Sequence, residues 1–349
     1  MIELGISTFG ETTEIEGTGV APKHDQRIRD MIEEMKLADE VGLDVYAIGE
    51  HHREDFAVSA PEILLAAGAS VTKNIRLSSA VTVLSSSDPV RVYQQYATID
   101  AISNGRSEVM VGRGSFTESF PLFGYYLADY EELFDEKLEM LDKIKNNEKL
   151  TWEGKHTQSV LDKGVYPRAI QEDFPIWVAT GGNVESTLKI AQKGFHIAYA
   201  IIGGEYRRFK GLVDYYKAVG RNAGYSDNKL KVASHSWGFI ADTDEEAINK
   251  YFHPTKQVVD AISKDRSFWR PLIFEQYLNS VGPEGSMLVG SPETVANKLI
   301  DMIETLNLDR FLLHLPLGSM PHEDIMKAIK LFGEEVAPRV RAHFNKSKY

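Results

Sequence analysis

Along most of this chain, short β-type runs alternate with longer stretches whose apolar residues recur at helical spacing. That alternation restricts the fold more than any other feature. The candidate strands cover residues 2–8, 45–49, 75–84, 107–111, 176–179, 197–200, 230–240 and 310–315. Between them, Ile28, Met31, Ile32, Met35 and Ala38 form one apolar helix face, with Gly42 as its stop. Tyr130, Leu133, Phe134, Leu138, Leu141 and Ile144 form a second. Ser291-Pro292-Glu293 opens a third helix with a cap residue, a proline at the first position and an acid in the first turn. Alternation of this kind implies a parallel sheet with helical crossovers, an α/β chain. Eight strands with helical crossovers point to a (β/α)8 TIM barrel. No internal repeat, biased tract or linker divides the sequence, so residues 1–349 read as a single barrel domain. Two stretches exceed a normal connection: residues 149–174, and residues 242–289, a long insertion between strand 7 and strand 8. Within the second, residues 263–287 carry Phe268, Trp269, Phe274 and Tyr277, with Gly282, Pro283 and Gly285 near the end. This part reads either as a mobile lid hinged at those glycines or as an extra helix packed on the barrel.

Charge and cysteine content narrow the chemistry. With 39 basic and 51 acidic side chains the formal net charge is −12. This argues against a sequence-independent hold on nucleic acid, which needs a basic face, and against anchoring to an anionic membrane. The absence of cysteine excludes disulfides, thiolate metal sites, iron–sulfur clusters and a cysteine nucleophile. The start, Met1-Ile2-Glu3-Leu4-Gly5, lacks the charged and apolar regions of a secretory signal. No apolar run reaches the ~20 residues that span a bilayer. The expectation is a cytoplasmic enzyme.

In a barrel, chemistry belongs on the loops after the strands. The second strand is followed by Glu50-His51-His52-Arg53. His51 is well placed there for acid–base work, since an unperturbed imidazole titrates near neutrality; the plainer reading is a hydrogen-bonded loop histidine. Adjacent histidines on an extended segment point to opposite sides, which makes a poor chelating pair, so no metal site is expected. After the fifth strand, Gly181 and Gly182 permit close backbone approach. Asn183 is a good helix cap, and Ser186 falls in the first turn, where free N–H groups favour an anion. A plain strand–helix turn would use the same residues. After the fourth strand, Gly112-Arg113-Gly114 offers a guanidinium that can fork onto a phosphate, or an ion pair between strands. Neighbouring fourth and fifth strands would bring Arg113 to the Gly181-Gly182 turn. In the third strand, the small pair Ser79-Ala80 leaves room for a flat ligand at the barrel mouth.

An ordered set of these pieces resembles the bacterial-luciferase-like flavin-dependent monooxygenases. It comprises Glu50-His51-His52, Ser79-Ala80-Val81-Thr82-Val83-Leu84, Asp88-Pro89-Val90-Arg91, Asp100, Gly105-Arg106, Gly112-Arg113-Gly114, the turn at residues 179–186, Val289-Gly290-Ser291-Pro292-Glu293 and a closing Val336-Ala337-Pro338. The resemblance implies reduced FMN supplied by a separate NAD(P)H:flavin reductase, dioxygen, and a small apolar, aldehyde-like organic substrate. It implies that His51 lies beside the flavin and that Arg113, Gly181, Gly182 and Ser186 hold its phosphate. It also implies a non-prolyl cis peptide at Ala80-Val81 under the flavin ring, and a homodimer. Gly112 stands where luciferases carry a reactive cysteine, and Thr180-Gly181 with a later Glu185-Ser186 departs from their phosphate site. These departures indicate a non-luminescent member. Relatives on this barrel use a deazaflavin for hydride transfer, which is the alternative, together with a flavin-binding protein without turnover.

Overall fold

Parallel strand pairing organises the chain, whose computed structural model describes residues 2–114, 116–265 and 269–346. The first half runs β1 (Glu3–Thr8), α1 (His24–Glu40), β2 (Val45–Ile48), α2 (Pro61–Val71), β3 (Arg76–Ser79), β4 (Thr82–Val83), α3 (Pro89–Ser103), β5 (Val109–Gly112), α4 (Ser119–Leu122), α5 (Tyr130–Asn146), β6 (Lys149–Trp152) and β7 (Val160–Gly164). The second half runs β8 (Ile176–Thr180), α6 (Val184–Gln192), β9 (His196–Ala200), α7 (Lys210–Asn222), β10 (Val232–Ile240), α8 (Asp244–Asp265), α9 (Phe274–Val281), β11 (Leu288–Gly290), α10 (Pro292–Leu306), β12 (Arg310–His314), α11 (His322–Leu331) and α12 (Ala337–Lys346).

The sheet order is β3-β2-β1-β12-β10-β9-β8-β5-β4. Its two ends, β3 and β4, are halves of one run separated by Ala80-Val81, so the path returns to its start. Leu77 completes the ring: it bridges Ser107, takes a hydrogen bond from Glu108 N (3.1 Å) and gives one to Arg106 O (2.9 Å). The expected barrel is therefore present, with its third stave broken in the middle. The Ala80–Val81 peptide is cis.

Two apolar cores follow from this closure. The larger one lies between the sheet and the surrounding helices; α1 contributes Met31, Met35 and Ala38 from the face expected for it. The smaller one fills the barrel with Val45, Ala47, Met110, Trp177, Ala198, Ala233 and Leu312. Below it, at the amino ends of the strands, Arg310 pairs with Glu108 and with Glu3 (2.7 Å) and lies over the Trp177 ring at 4.3 Å. Asp100 and Arg106 also act as structural pins. Asp100 accepts from the backbone of Ile170 (2.8 Å) and Gln171 (3.1 Å). Arg106 donates to the carbonyls of Ile75, Ala69, Thr72 and Ser103 at 2.7–3.1 Å.

The capping chemistry read at Ser291 is in place: its hydroxyl accepts from Thr294 N at 3.4 Å, with Pro292 opening α10. Residues 149–174 hold the antiparallel β6–β7 hairpin. In residues 263–287 the structure has a packed helix, α9, followed by β11 against β10. Tyr277 is fully buried, donates to Ile248 O (3.0 Å) and meets the Phe252 ring at 5.2 Å. Phe268, counted in the lid reading, lies outside the described residues. No helix among the described residues is long and apolar enough to cross a membrane.

Candidate active site

At the carboxyl ends of the strands a cavity of about 480 Å³ opens, within the usual range for a small-molecule site. His51, Ala80, Val81, Arg113 and Gly181 all line it.

Glu50 fixes the loop after β2. Its backbone N donates to Val81 O (3.1 Å), its Oε2 accepts from Val83 N (2.8 Å), and its Oε1 holds His52 Nε2 at 2.7 Å. The carboxylate thus ties this loop to the third stave on the far side of the cis bond. His52 turns away toward Phe123, with ring centroids 5.3 Å apart. His51 takes the opposite direction, as neighbouring side chains on extended backbone must. It is 8% exposed and packs between Phe9 (4.5 Å) and Phe56 (4.3 Å, stacked). Burial pushes its pKa down to about 3, assisted by the nearby His314, His52 and Arg53. The expected near-neutral titration is therefore displaced: at neutral pH His51 is an uncharged imidazole. Its Nδ1 is buried without a hydrogen-bond partner.

The loop after β5 meets the start of α6. Arg113 Nη1 donates to Ser186 Oγ at 3.2 Å, and Nε stands 3.0 Å from Glu131 Oε2. The guanidinium lies over the Phe134 ring at 4.6 Å, which limits its swing. Asn183 caps α6, its side chain accepting from Ser186 N at 2.7 Å. Gly181 has open space where a side chain would stand. Gly182 differs from the expectation: it is absent from the cavity wall. Its φ is +94°, and a Cβ there would lie 2.5 Å from Phe209, so it serves the turn and the packing behind it. Ser186 lines an adjoining groove that shares Arg113 with the cavity. The neighbouring staves do bring Arg113 and this turn together.

Gly112 explains one departure from the luciferases. A Cβ at this position would stand 2.8 Å from Val81 Cγ2, so the valine occupies the space a side chain would need.

Sequence reasoning missed Phe9, Glu50, His235 and Trp237 as cavity residues. His235 and Trp237 were findable, because β10 alternates faces and Ala233 belongs to the barrel interior. His314 stands behind the wall. Its Nε2 is 2.8 Å from Glu11 Oε1 and its Nδ1 is 3.3 Å from Ser7 Oγ.

A flat ligand with an anionic end fits this arrangement: an arginine and a helix start lie on one side, small residues and aromatic rings along the rest. The sequence model of the family described as luciferase-like monooxygenase matches residues 2–309. An N-acetyl-S-alkylcysteine monooxygenase of Bacillus subtilis is 27% identical over 296 residues, covering 81% of this chain and 85% of that protein. Among solved structures, the monooxygenase RslO1 from Streptomyces bottropensis superposes with a TM-score of 0.84 at 21% identity, covering 97% of this chain and 99% of that one. The oxygenating constituent of 3,6-diketocamphane monooxygenase from Pseudomonas putida, a type II Baeyer-Villiger monooxygenase in complex with FMN, gives 0.73 at 22% identity with the same coverage. The coenzyme F420-dependent tetrahydromethanopterin reductase from Methanopyrus kandleri also gives 0.73, at 18% identity and again the same coverage.

Proposed function

The chain belongs to the luciferase-like monooxygenase family, and from that premise we propose that it is an FMN-dependent monooxygenase acting on a small apolar, aldehyde-like substrate. Reduced FMN supplies two electrons; one atom of dioxygen enters the substrate and the other leaves as water. The observation that carries this reading is the convergence of Arg113 and the open Gly181 turn at one side of the cavity, with Ser186 bonded to Arg113 from the adjoining groove. These groups suit the FMN phosphate. Ala80 and Val81 then provide a small, flat platform for the ring. The neutral His51 offers it a hydrogen bond without a competing positive charge. Phe9 and Trp237 would keep water from the reacting end, with Phe56 stacked behind His51. Supply of reduced FMN by a separate NAD(P)H:flavin reductase, a homodimer and a cytoplasmic setting belong to the same reading.

A deazaflavin is the second reading, because the solved likenesses include F420-dependent enzymes. Charge in the groove beyond Arg113 and Ser186 weighs against it. Lys189 is taken by Asp135 (2.9 Å) and Glu185 (3.2 Å), and Lys193 by Glu139 (3.6 Å). Such balance suits a short chain ending in one phosphate better than a long polyanionic tail.

Anaerobic titration with reduced FMN, followed by oxygen uptake in the presence of medium-chain aldehydes and ketones, tests the proposal. Saturable FMN binding and ¹⁸O transfer from dioxygen to product are expected. Tight binding of 8-hydroxy-5-deazaflavin with none of FMN would overturn it.

A further inference from the structure

β10 places His235 on the cavity wall, two residues beyond the interior Ala233 and two before Trp237. Its neighbours cannot satisfy its imidazole. The His314 ring is 5.0 Å away, edge-on, and both nitrogens of that ring are engaged by Ser7 and Glu11. Phe9, stacked at 6.0 Å, has no polar atom to offer. Nε2 of His235 is buried without a partner. Burial, then His314, hold the ring in its neutral form, which carries one N–H. Unpaired buried donors are rarer than unpaired acceptors, so the closed-off Nε2 is the bare nitrogen and Nδ1 carries the N–H. Nothing here invites a charged group. The cavity's arginine, Arg113, directly follows β5, and the order β10-β9-β8-β5 puts two staves between that strand and β10. Across the strands His235 is registered with Leu312 and Ala200, and Phe9 and Trp237 share its wall.

We infer that His235 is a specificity-determining residue: its imidazole N–H binds an uncharged acceptor oxygen, of carbonyl or ether type, on an otherwise apolar substrate. The inference rests on the FMN reading, which puts the flavin phosphate at Arg113 and leaves the β10 wall to the second ligand. His235 would then orient that ligand's oxygen-bearing carbon within the cavity, while the Glu11–His314–Ser7 network behind the ring holds the imidazole's place.

The test uses cyclohexanone and methylenecyclohexane, which differ in one acceptor oxygen, titrated into the FMN-loaded protein and followed by perturbation of the flavin absorbance. The wild type is expected to prefer the ketone by about tenfold, the scale of one hydrogen bond. His235→Phe should abolish the preference and leave FMN affinity unchanged, and His235→Gln should restore part of it. Should His235→Phe not fold, ¹⁵N imidazole signals of the wild type decide: the ketone, and not the alkene, should shift His235. Equal binding of the two probes by wild type, a preference that survives His235→Phe, or an unmoved His235 signal overturns the inference while FMN binding stands. Failure of wild type to bind FMN overturns the flavin reading, and this inference with it.

Discussion

Arg113 is the charged group on which the cofactor reading turns, because its guanidinium reaches the Ser186 hydroxyl and is steadied by Glu131 and Phe134. Removing it in Arg113→Ala should weaken FMN by roughly ten- to a hundredfold, the equivalent of about 1.5–3 kcal/mol for a hydrogen bond to a charged group. Riboflavin, which has no phosphate, should lose little; fluorescence titration of both ligands compares them, and equal losses would remove Arg113 from the phosphate. His51 yields a prediction about acid. Its folded pKa of about 3 lies below the ordinary 6.5. The unfolded chain therefore binds the proton first, and stability present above pH 6.5 is lost as pH falls toward 3. Between pH 7 and pH 5, wild type should lose about 2 kcal/mol more than His51→Gln in urea titrations; parallel losses would show that burial does not hold this imidazole neutral. Both residues were legible because each comes just after a strand read from the sequence, where a barrel places its ligand-facing loops. His235 was not, since a histidine inside a strand announces itself only when the strand's two faces have been told apart.

At the level of strands, the decisive contact is between the third stave and β5. Val81 fills the space beside Gly112, with Cγ2 2.8 Å and Cγ1 3.2 Å from where a Cβ would be. Gly112→Ala should cost about 1–3 kcal/mol, the range for overpacking a filled site. Adding Val81→Ala should recover part of that loss, so the double variant should be more stable than the two single effects sum to. Denaturant midpoints of the four proteins measure the coupling; strict additivity would mean the two staves do not press on each other here. Residues 75–84 show where sequence reading stops. Their β-branched and small residues read as one continuous strand, and residue chemistry alone gives no sign of the break. The resemblance to a known family supplied it. Likewise α9 was only one of two readings for its segment, because phenylalanine and tyrosine at helical spacing suit a lid and a packed helix equally. Burial of Tyr277 against Phe252 is a long-range fact. Asp100 and Arg106 entered as motif residues, and the structure gives them backbone carbonyls and amides to hold.

Across the whole molecule, ligand chemistry and stability sit at opposite ends of the barrel, as is usual for this architecture. Burial would raise the Glu108 carboxyl, yet the Arg310 guanidinium beside it holds the pKa below the ordinary value. Arg310→Met would leave Glu108, 1% exposed, without its bidentate partner. Breaking such a buried pair costs about 3–5 kcal/mol. A lowered urea midpoint with unchanged FMN affinity is expected; a matching loss of FMN binding would mean that the two ends are coupled. The same cluster has a consequence for synthesis. Glu3, Glu108 and Arg310 come from the start, the first third and the last barrel strand of the chain. While the ribosome has not yet delivered Arg310, the half-built ring carries two carboxylates in its throat, with Arg76, 3.6 Å from Glu108 in the finished fold, as a partial counter-charge. Their repulsion and hydration would keep that throat wet and hold apart the unpaired margins of β1 and β10, whose exposed amides could otherwise recruit a neighbouring nascent chain. Ribosome-bound chains that stop before Arg310 should accordingly be cut readily by protease yet remain unaggregated. Replacing both acids by glutamine should make the same truncated chains sticky, so the arginine that locks the finished barrel is also the signal that the barrel is complete.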